Sequence, residues 1–260
     1  MGVAQVIFIL LLMVLGILGA GYAGKITKKV TIIGAVLGII LGSVLLLLAV
    51  LPGNSFYGKI LTKGNTSEKV VALTFDDGPY PPFTYQVLQI LKEKKVPATF
   101  FIVGENAKAY PYLVKAAADD GHLLGTHTYH HYDLLKLGKD SIKEELSSGK
   151  EIIESITGKE VKYFRPPHGF KDWRIMKAAE EENLNVVNWS VVPRDWTKPG
   201  VKVIVDRVMS TVEPGSIVLL HDGDSPKKKA TREETVAALP IIIDKLQAEG
   251  YKFVTVEELP

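Results

Sequence analysis

The stretch Val70-Val71-Ala72-Leu73-Thr74-Phe75-Asp76-Asp77-Gly78-Pro79 decides how the rest of the chain is read. An apolar run rich in valine that stops at a Gly-Pro pair predicts a buried strand over 70–75 ending in a sharp turn. That turn delivers two adjacent carboxylates to the strand's carboxyl end. Successive side chains on a strand face opposite ways, so Asp76 and Asp77 need not share one task. Two neighbouring acids also repel, and keeping both ionised near neutral pH takes a cation, either a metal or an arginine.

Outward from this stretch, short apolar runs alternate with longer amphipathic ones, as in βα units around a parallel sheet. Strands are expected at 70–75, 98–103, 122–126, 162–164, 185–190, 216–220 and 252–256, with helices at 84–94, 107–120, 141–156, 173–183, 202–212 and 233–249. Asp140 and Asp172 are placed as helix N-caps, and Gly121, Gly158 and Gly250 stand where helices should stop. An open doubly wound sheet shares this alternation, but the polar clusters discriminate. Asp76-Asp77, His127 to His131, Arg165 to Gly169, Arg194-Asp195-Trp196 and His221-Asp222 each follow a strand. A βα barrel assembles its active site at that end. The expected fold is therefore α/β, an irregular (β/α) barrel of about seven parallel strands in residues 68–260.

The first 64 residues are different in kind. They contain no Asp or Glu and only five of the chain's 31 basic residues, which leaves 26 basic and 29 acidic residues in 65–260, a formal charge of −3. No basic nucleic-acid footprint is present there. Residues 2–23 and 31–51 are uncharged and each long enough to cross about 30 Å of hydrocarbon as a helix. Three lysines sit in the short loop between them, so by the positive-inside tendency the loop is cytoplasmic and the N-terminus and all that follows Leu51 lie outside. Residues 1–51 are thus expected to be a transmembrane helical hairpin in the cell membrane, in contact with the lipid bilayer. Gly34, Gly38 and Gly42 on one helix, and Gly16, Ala20 and Gly24 on the other, would let the two approach closely. The competing reading is a signal peptide cut near Ala23, which lacks the basic residues that should precede its apolar core. Residues 52–67 are a short linker. With no cysteine, disulfides and cysteine-bound zinc are excluded. Lys227-Lys228-Lys229 reads as a solvated loop. The sequence does not fix an oligomeric state.

All six histidines lie beyond Gly121. His127 and His131 stand at i and i+4, which on a helical turn would share a face and grip one metal ion, with His130 a rival ligand at i+3. Together with Asp77 they would make a two-His, one-carboxylate set that leaves coordination positions open. His122, at a strand start, reads as structural.

Thr74 to Pro79 as TFDDGP, His127 to His131 as HTYHH, Arg165 to Gly169 as RPPHG, Asp195-Trp196, and Leu219-Leu220-His221 together resemble the five ordered motifs of the polysaccharide deacetylases, the NodB-homology or carbohydrate esterase family 4 enzymes. The resemblance spans about 69–259 and implies a metal-dependent hydrolase that removes N-acetyl groups from N-acetylglucosamine units of a polymer. It implies Asp77, His127 and His131 as metal ligands, Asp76 as general base, His221 as general acid, Arg165 as the partner of Asp76, and Asp195 as the carboxylate holding His221. The backbone N–H of His168 would serve the oxyanion, and Trp196 and Leu219 would wall the acetyl pocket. The metal expected is Zn²⁺, with Co²⁺ or Ni²⁺ as substitutes, and the partner an N-acetylated glycan, foremost peptidoglycan. Runner-up readings are deacetylation of chitin oligomers, of an O-acetylated xylan or wall polymer, or a non-catalytic glycan-binding relic. Two positions depart from the motifs: His168 stands where an aromatic is usual, and Val192 where an earlier Asp is common.

Overall fold

The computed structural model describes residues 2–224, 229 and 231–260. Lys227 and Lys228 of the lysine run lie outside the described residues; Lys229 is exposed. Among the described residues there are seven parallel strands: β1 Val70–Asp76, β2 Thr99–Ile102, β3 Leu123–Thr126, β4 Tyr163–Phe164, β5 Asn185–Val186, β6 Ser216–His221 and β7 Lys252–Phe253. They form one sheet in the order β5-β4-β3-β2-β1-β6. On one edge β1 pairs with β6 along 71–76; on the other it pairs with β7 at its start and with β2 at its end. The sheet curls into a half-barrel that stays open between β5 and β6. Single bridges Leu61 to Val187, Val191 to Val218 and Lys63 to Ser216 draw that opening together. The segment expected only as a linker is thus partly knitted to the sheet, with Leu61 N–H donating to Val186 O and Leu61 O accepting from Asn188 N–H.

The helices are α1 Val3–Tyr22, α2 Lys28–Val50, α3 Phe83–Lys94, α4 Gly104–Ala109, α5 Pro111–Asp119, α6 Lys139–Thr157, α7 Trp173–Glu181, α8 Val201–Met209 and α9 Glu233–Ala248. The single helix expected over 107–120 is two, because Pro111 bars its predecessor Tyr110 from helical backbone. Asp172 caps α7 by accepting from the N–H groups of Arg174 and Ile175. Asp140 caps nothing; α6 begins two residues earlier, at a Gly138 N-cap, and holds Asp140 in its first turn. Gly158 ends α6 in the left-handed conformation a glycine tolerates.

Strand alternation sorts the core into two faces. Val71, Leu73 and Phe75 of β1, with Val218 and Leu220 of β6, pack outward on the helices. Ala72 and Ile217 pack inward with Phe101, Val187 and Val256 as the barrel floor. Each of these valine, leucine, isoleucine and phenylalanine side chains contributes about 1.5–3 kcal/mol on burial. The same parity places Thr74, Asp76, Leu219 and His221 on the inner face above that floor. The period-two pattern therefore both builds the core and aims the reactive groups.

Helices α1 and α2 are long and apolar enough to cross a membrane. They pair as an antiparallel hairpin in which Gly34, Gly38 and Gly42 face Ile17, Val14 and Leu10 in turn. A Cβ added at Gly38 would come within 2.5 Å of Val14 Cγ2. The other small-residue stripe does not serve the pairing, since a Cβ at Gly16 or Gly24 would meet nothing within 4 Å.

Candidate functional site

Six of the eight non-glycine residues with positive φ among the described residues lie in loops at the carboxyl ends of the strands: Asp77, Thr128, His131, His168, Arg194 and Lys198. Left-handed backbone is costly for such residues, and its concentration here means the surrounding contacts over-determine these loops. It also corrects the helical-turn reading of His127 to His131. That segment is an irregular loop, and left-handed Thr128 and His131, rather than helical spacing, bring the two imidazoles together, with ring centroids 4.9 Å apart.

Asp76 ends β1 on the inner face and is 3% exposed. Arg165, fully buried at the end of β4, donates from Nη1 to Asp76 Oδ1 at 2.7 Å and to Thr74 Oγ1 at 2.8 Å. Its other nitrogens reach Asn188 O at 2.9 Å and Val187 O at 3.3 Å, and its guanidinium carbon sits 4.0 Å from the Phe101 ring centroid. Burial pushes the Asp76 carboxyl upward, against the pull of Arg165 and His221. Asp77 starts the next loop, its carbonyl held by Asn106 Nδ2 at 2.8 Å. Burial also raises its carboxyl, but the positive surroundings of His131 and His221 outweigh that and hold it below the usual range.

The three candidate ligands converge. One ligand atom from each of Asp77, His127 and His131 lies within 4.8 Å of the others. Asp77 Oδ1 is 3.2 Å from His131 Nε2 and 3.6 Å from His127 Nε2. A tetrahedral ion with bonds of about 2.0–2.1 Å sets its ligands roughly 3.4 Å apart. His127 Nδ1 lies 2.6 Å from the Arg165 carbonyl oxygen, to which only an N–H can donate, so Nε2 offers its lone pair toward Asp77. Burial and the neighbouring His131 hold His127 well below its ordinary pKa, hence neutral. Asp77 Oδ1 is buried and has no hydrogen-bond donor. Lone pairs facing one another in a buried space are what a divalent cation resolves, so these residues fit one. His130 is turned away: its Nδ1 and backbone N–H both meet the Glu145 carboxylate of α6, at 2.6 and 2.8 Å.

Across the pocket, Asp195 Oδ1 meets His221 Nδ1 at 2.9 Å, while Oδ2 accepts from the His221 N–H and from Thr235 Oγ1. Burial alone would lower the His221 pKa; Asp195 overrides it and lifts the imidazole to about 9. Val192, at the departing motif position, is 37% exposed and figures in none of the contacts described here for Arg165 and His221. The cavity is about 660 Å³ and is also walled by His168, Trp196 and Leu219. The Trp196 ring stands 5.1 Å from His221, and the His168 ring 5.2 Å from His131. Every site residue expected from the sequence is thus at or directly behind one pocket.

Four contributors were not foreseen. Thr74 was detectable, since it shares strand parity with Asp76. Asn188, Thr235 and Arg232 carried no signal. Arg232 donates to Gly223 O at 2.8 Å and borders the cavity, but its partners become neighbours only through the fold. His122 is structural as expected; its Nδ1 accepts from the Ala98 N–H, and burial lowers it to about 4.

Residues 63–187 match a family model described as polysaccharide deacetylase. A peptidoglycan-N-acetylglucosamine deacetylase of Bacillus cereus is 42% identical over 195 residues, covering 74% of this chain and 89% of that protein. A chitooligosaccharide deacetylase of Sinorhizobium fredii is 39% identical over 201 residues, covering 75% and 94%. Among solved structures, a peptidoglycan N-acetylglucosamine deacetylase in complex with an N-hydroxybenzamide superposes with a TM-score of 0.72 at 36% identity, covering 77% of this chain and 92% of the other.

Proposed function

Because the chain belongs to the polysaccharide deacetylase family and is a hydrolase of N-acetyl groups, we propose that it cleaves the acetamide of N-acetylglucosamine units in a cell-surface glycan, foremost peptidoglycan, with Zn²⁺ held by Asp77, His127 and His131. Co²⁺ or Ni²⁺ would substitute. The observation that carries this reading is the buried, donorless Asp77 Oδ1 facing the Nε2 atoms of His127 and His131, with the Asp76 carboxyl on one side and the His221 imidazole on the other.

A divalent cation bound there supplies Lewis acidity toward the amide oxygen and the attacking water. Asp76, aimed by Arg165, takes the proton of that water when in its ionised form. The backbone N–H of His168, which borders the pocket, is the donor to the developing oxyanion in this reading. His221, charged through Asp195, gives its proton to the departing amine, so that amine and acetate leave with protons balanced. Trp196 and Leu219 close around the acetyl methyl.

Residues 68–260 are the catalytic domain in this reading, with residues 1–51 a two-span anchor that places it outside the cell. Supporting this, the start of α1 and the end of α2 both touch the domain, at Asp172 and Lys171, so the lysine-bearing loop is at the far end. The test is acetate release by the full chain in detergent, with added Zn²⁺ or Co²⁺, from N-acetylglucosamine oligomers and peptidoglycan. Asp76→Asn should lower turnover by about 10²–10⁴-fold with the fold intact. Release only from O-acetyl esters would redirect the reading to ester hydrolysis, and none from any acetylated glycan would end it.

A further inference from the structure

Phe170 walls the pocket, and the next two residues leave the site altogether. Lys171 and Asp172 are charged, adjacent and fully buried, yet neither faces the cavity. The Lys171 ammonium donates to the carbonyl of Leu51, the C-cap of α2, and its backbone N–H donates to Ala49 O at 3.0 Å. Asp172 Oδ2 accepts from the Val3 N–H, the first residue of α1, at 3.1 Å. The cation meets the negative end of one helix and the anion the positive end of the other, the complement that helix dipoles favour. Around this pair Val3, Ala49 and Tyr57 form a buried apolar cluster with Ile7, Leu48, Leu135 and Met176, and the Tyr57 hydroxyl bonds Leu45 O at 3.0 Å. Asn188 completes the link: its Nδ2 donates to Pro52 O at 2.9 Å, while its own carbonyl accepts from Arg165.

The hairpin is therefore a docked part of the domain, with no free leash between them. The pocket wall begins one residue, about 4 Å of chain, from Lys171, whose N–H bonds the last turn of α2. An aromatic group stands at the same level: Phe56 is 63% exposed, Trp173 37%, and Tyr57 lies between them with ring centroids 5.0 and 5.5 Å away. Such rings at the end of membrane helices mark the headgroup layer, which is roughly 5–8 Å deep on each side.

We propose that Lys171 and Asp172 clamp the hairpin to the domain so that the pocket is fixed at the membrane surface, and that its substrate is an acetylated saccharide whose other end is held in the same bilayer by a lipid. This rests on the deacetylase reading above. A domain fixed at headgroup level reaches sugars carried on that surface and not strands many layers out.

The full chain is reconstituted in phosphatidylglycerol–phosphatidylethanolamine vesicles that contain a polyprenyl-diphosphate-linked N-acetylglucosamine oligosaccharide, or that meet the same oligosaccharide free in solution. Acetate release per accessible sugar is expected to be at least tenfold faster from the lipid-held form. In the Lys171→Met, Asp172→Asn double variant that preference should vanish, with turnover of the free sugar within about twofold. Docking is read separately. The chain has no native cysteine, so a Leu48→Cys, Met176→Cys pair should cross-link through a short bismaleimide in vesicles, and not in the double variant. Equal or faster release from the free sugar by the unaltered chain, or no cross-link, overturns the inference while leaving deacetylation standing. No acetate from either form removes the deacetylase reading and this inference with it. Should the double variant not fold, the comparison of the two substrates by the unaltered chain decides alone.

Discussion

At the scale of single residues, the site depends on where protons rest. Asp195 lifts His221 to about 9 through a 2.9 Å contact, so His221 is charged at neutral pH and loses its proton as pH rises through that value. Activity that needs His221 as an acid should fall on that alkaline limb. In Asp195→Asn the carboxylate is gone, the imidazole titrates lower, and a pH profile of kcat should show the descending limb moved down by a unit or more. An unmoved limb would remove His221 from the proton-transfer role. Most of this was legible because motif residues are contiguous: Asp76 with Asp77, His127 near His131, Leu219 before His221. Asn188 and Thr235 were not legible, as each is joined to its partner across 23 and 40 residues and has no local companion to mark it.

Among the elements, α6 decides how the histidine loop sits. Gly149 packs against that loop, and a Cβ there would lie 2.8 Å from the Thr128 carbonyl carbon and 2.5 Å from Thr126 Oγ1. Alanine should gain about 1 kcal/mol of helix propensity, yet the crowded contact is with backbone and costs about 1–3 kcal/mol. Since Thr128 Oγ1 accepts the His131 N–H at 3.0 Å, the displacement passes directly to a candidate ligand. For Gly149→Ala, zinc titration by calorimetry should show affinity lowered about 10–100-fold, the range for losing a ligand's support. Unchanged affinity would separate α6 from the site. The elements themselves were largely readable from periodicity, which placed seven strands in sequence order. What it misplaced were ends and breaks. Tyr110-Pro111 carried a visible signal for the broken helix. The short β5 carried none, because residues 188–190 leave the ladder to meet Leu61 and Ile217.

For the molecule as a whole, three candidate ligand residues on two loops would give cation binding leverage over the global fold. A cation at 1,000 times its dissociation constant adds about 4.1 kcal/mol to folded-state stability. Zinc should therefore raise the melting temperature of the full chain, chelation should reverse the rise, and Asp77→Ala should abolish it; a rise that survives that substitution would place the ion elsewhere. The sequence also foretold two apolar helices, but not that they rest against the domain, because the contacts joining Val3 to Asp172 and Leu51 to Lys171 span 169 and 120 residues. That seating bears on anyone preparing the protein in pieces. A water-soluble fragment begun near residue 65 would strip the cover from Leu135 and Met176 and leave the Lys171 ammonium without the helix end it bonds. Such a fragment should self-associate through the bare floor, and its oligomers would be products of the truncation.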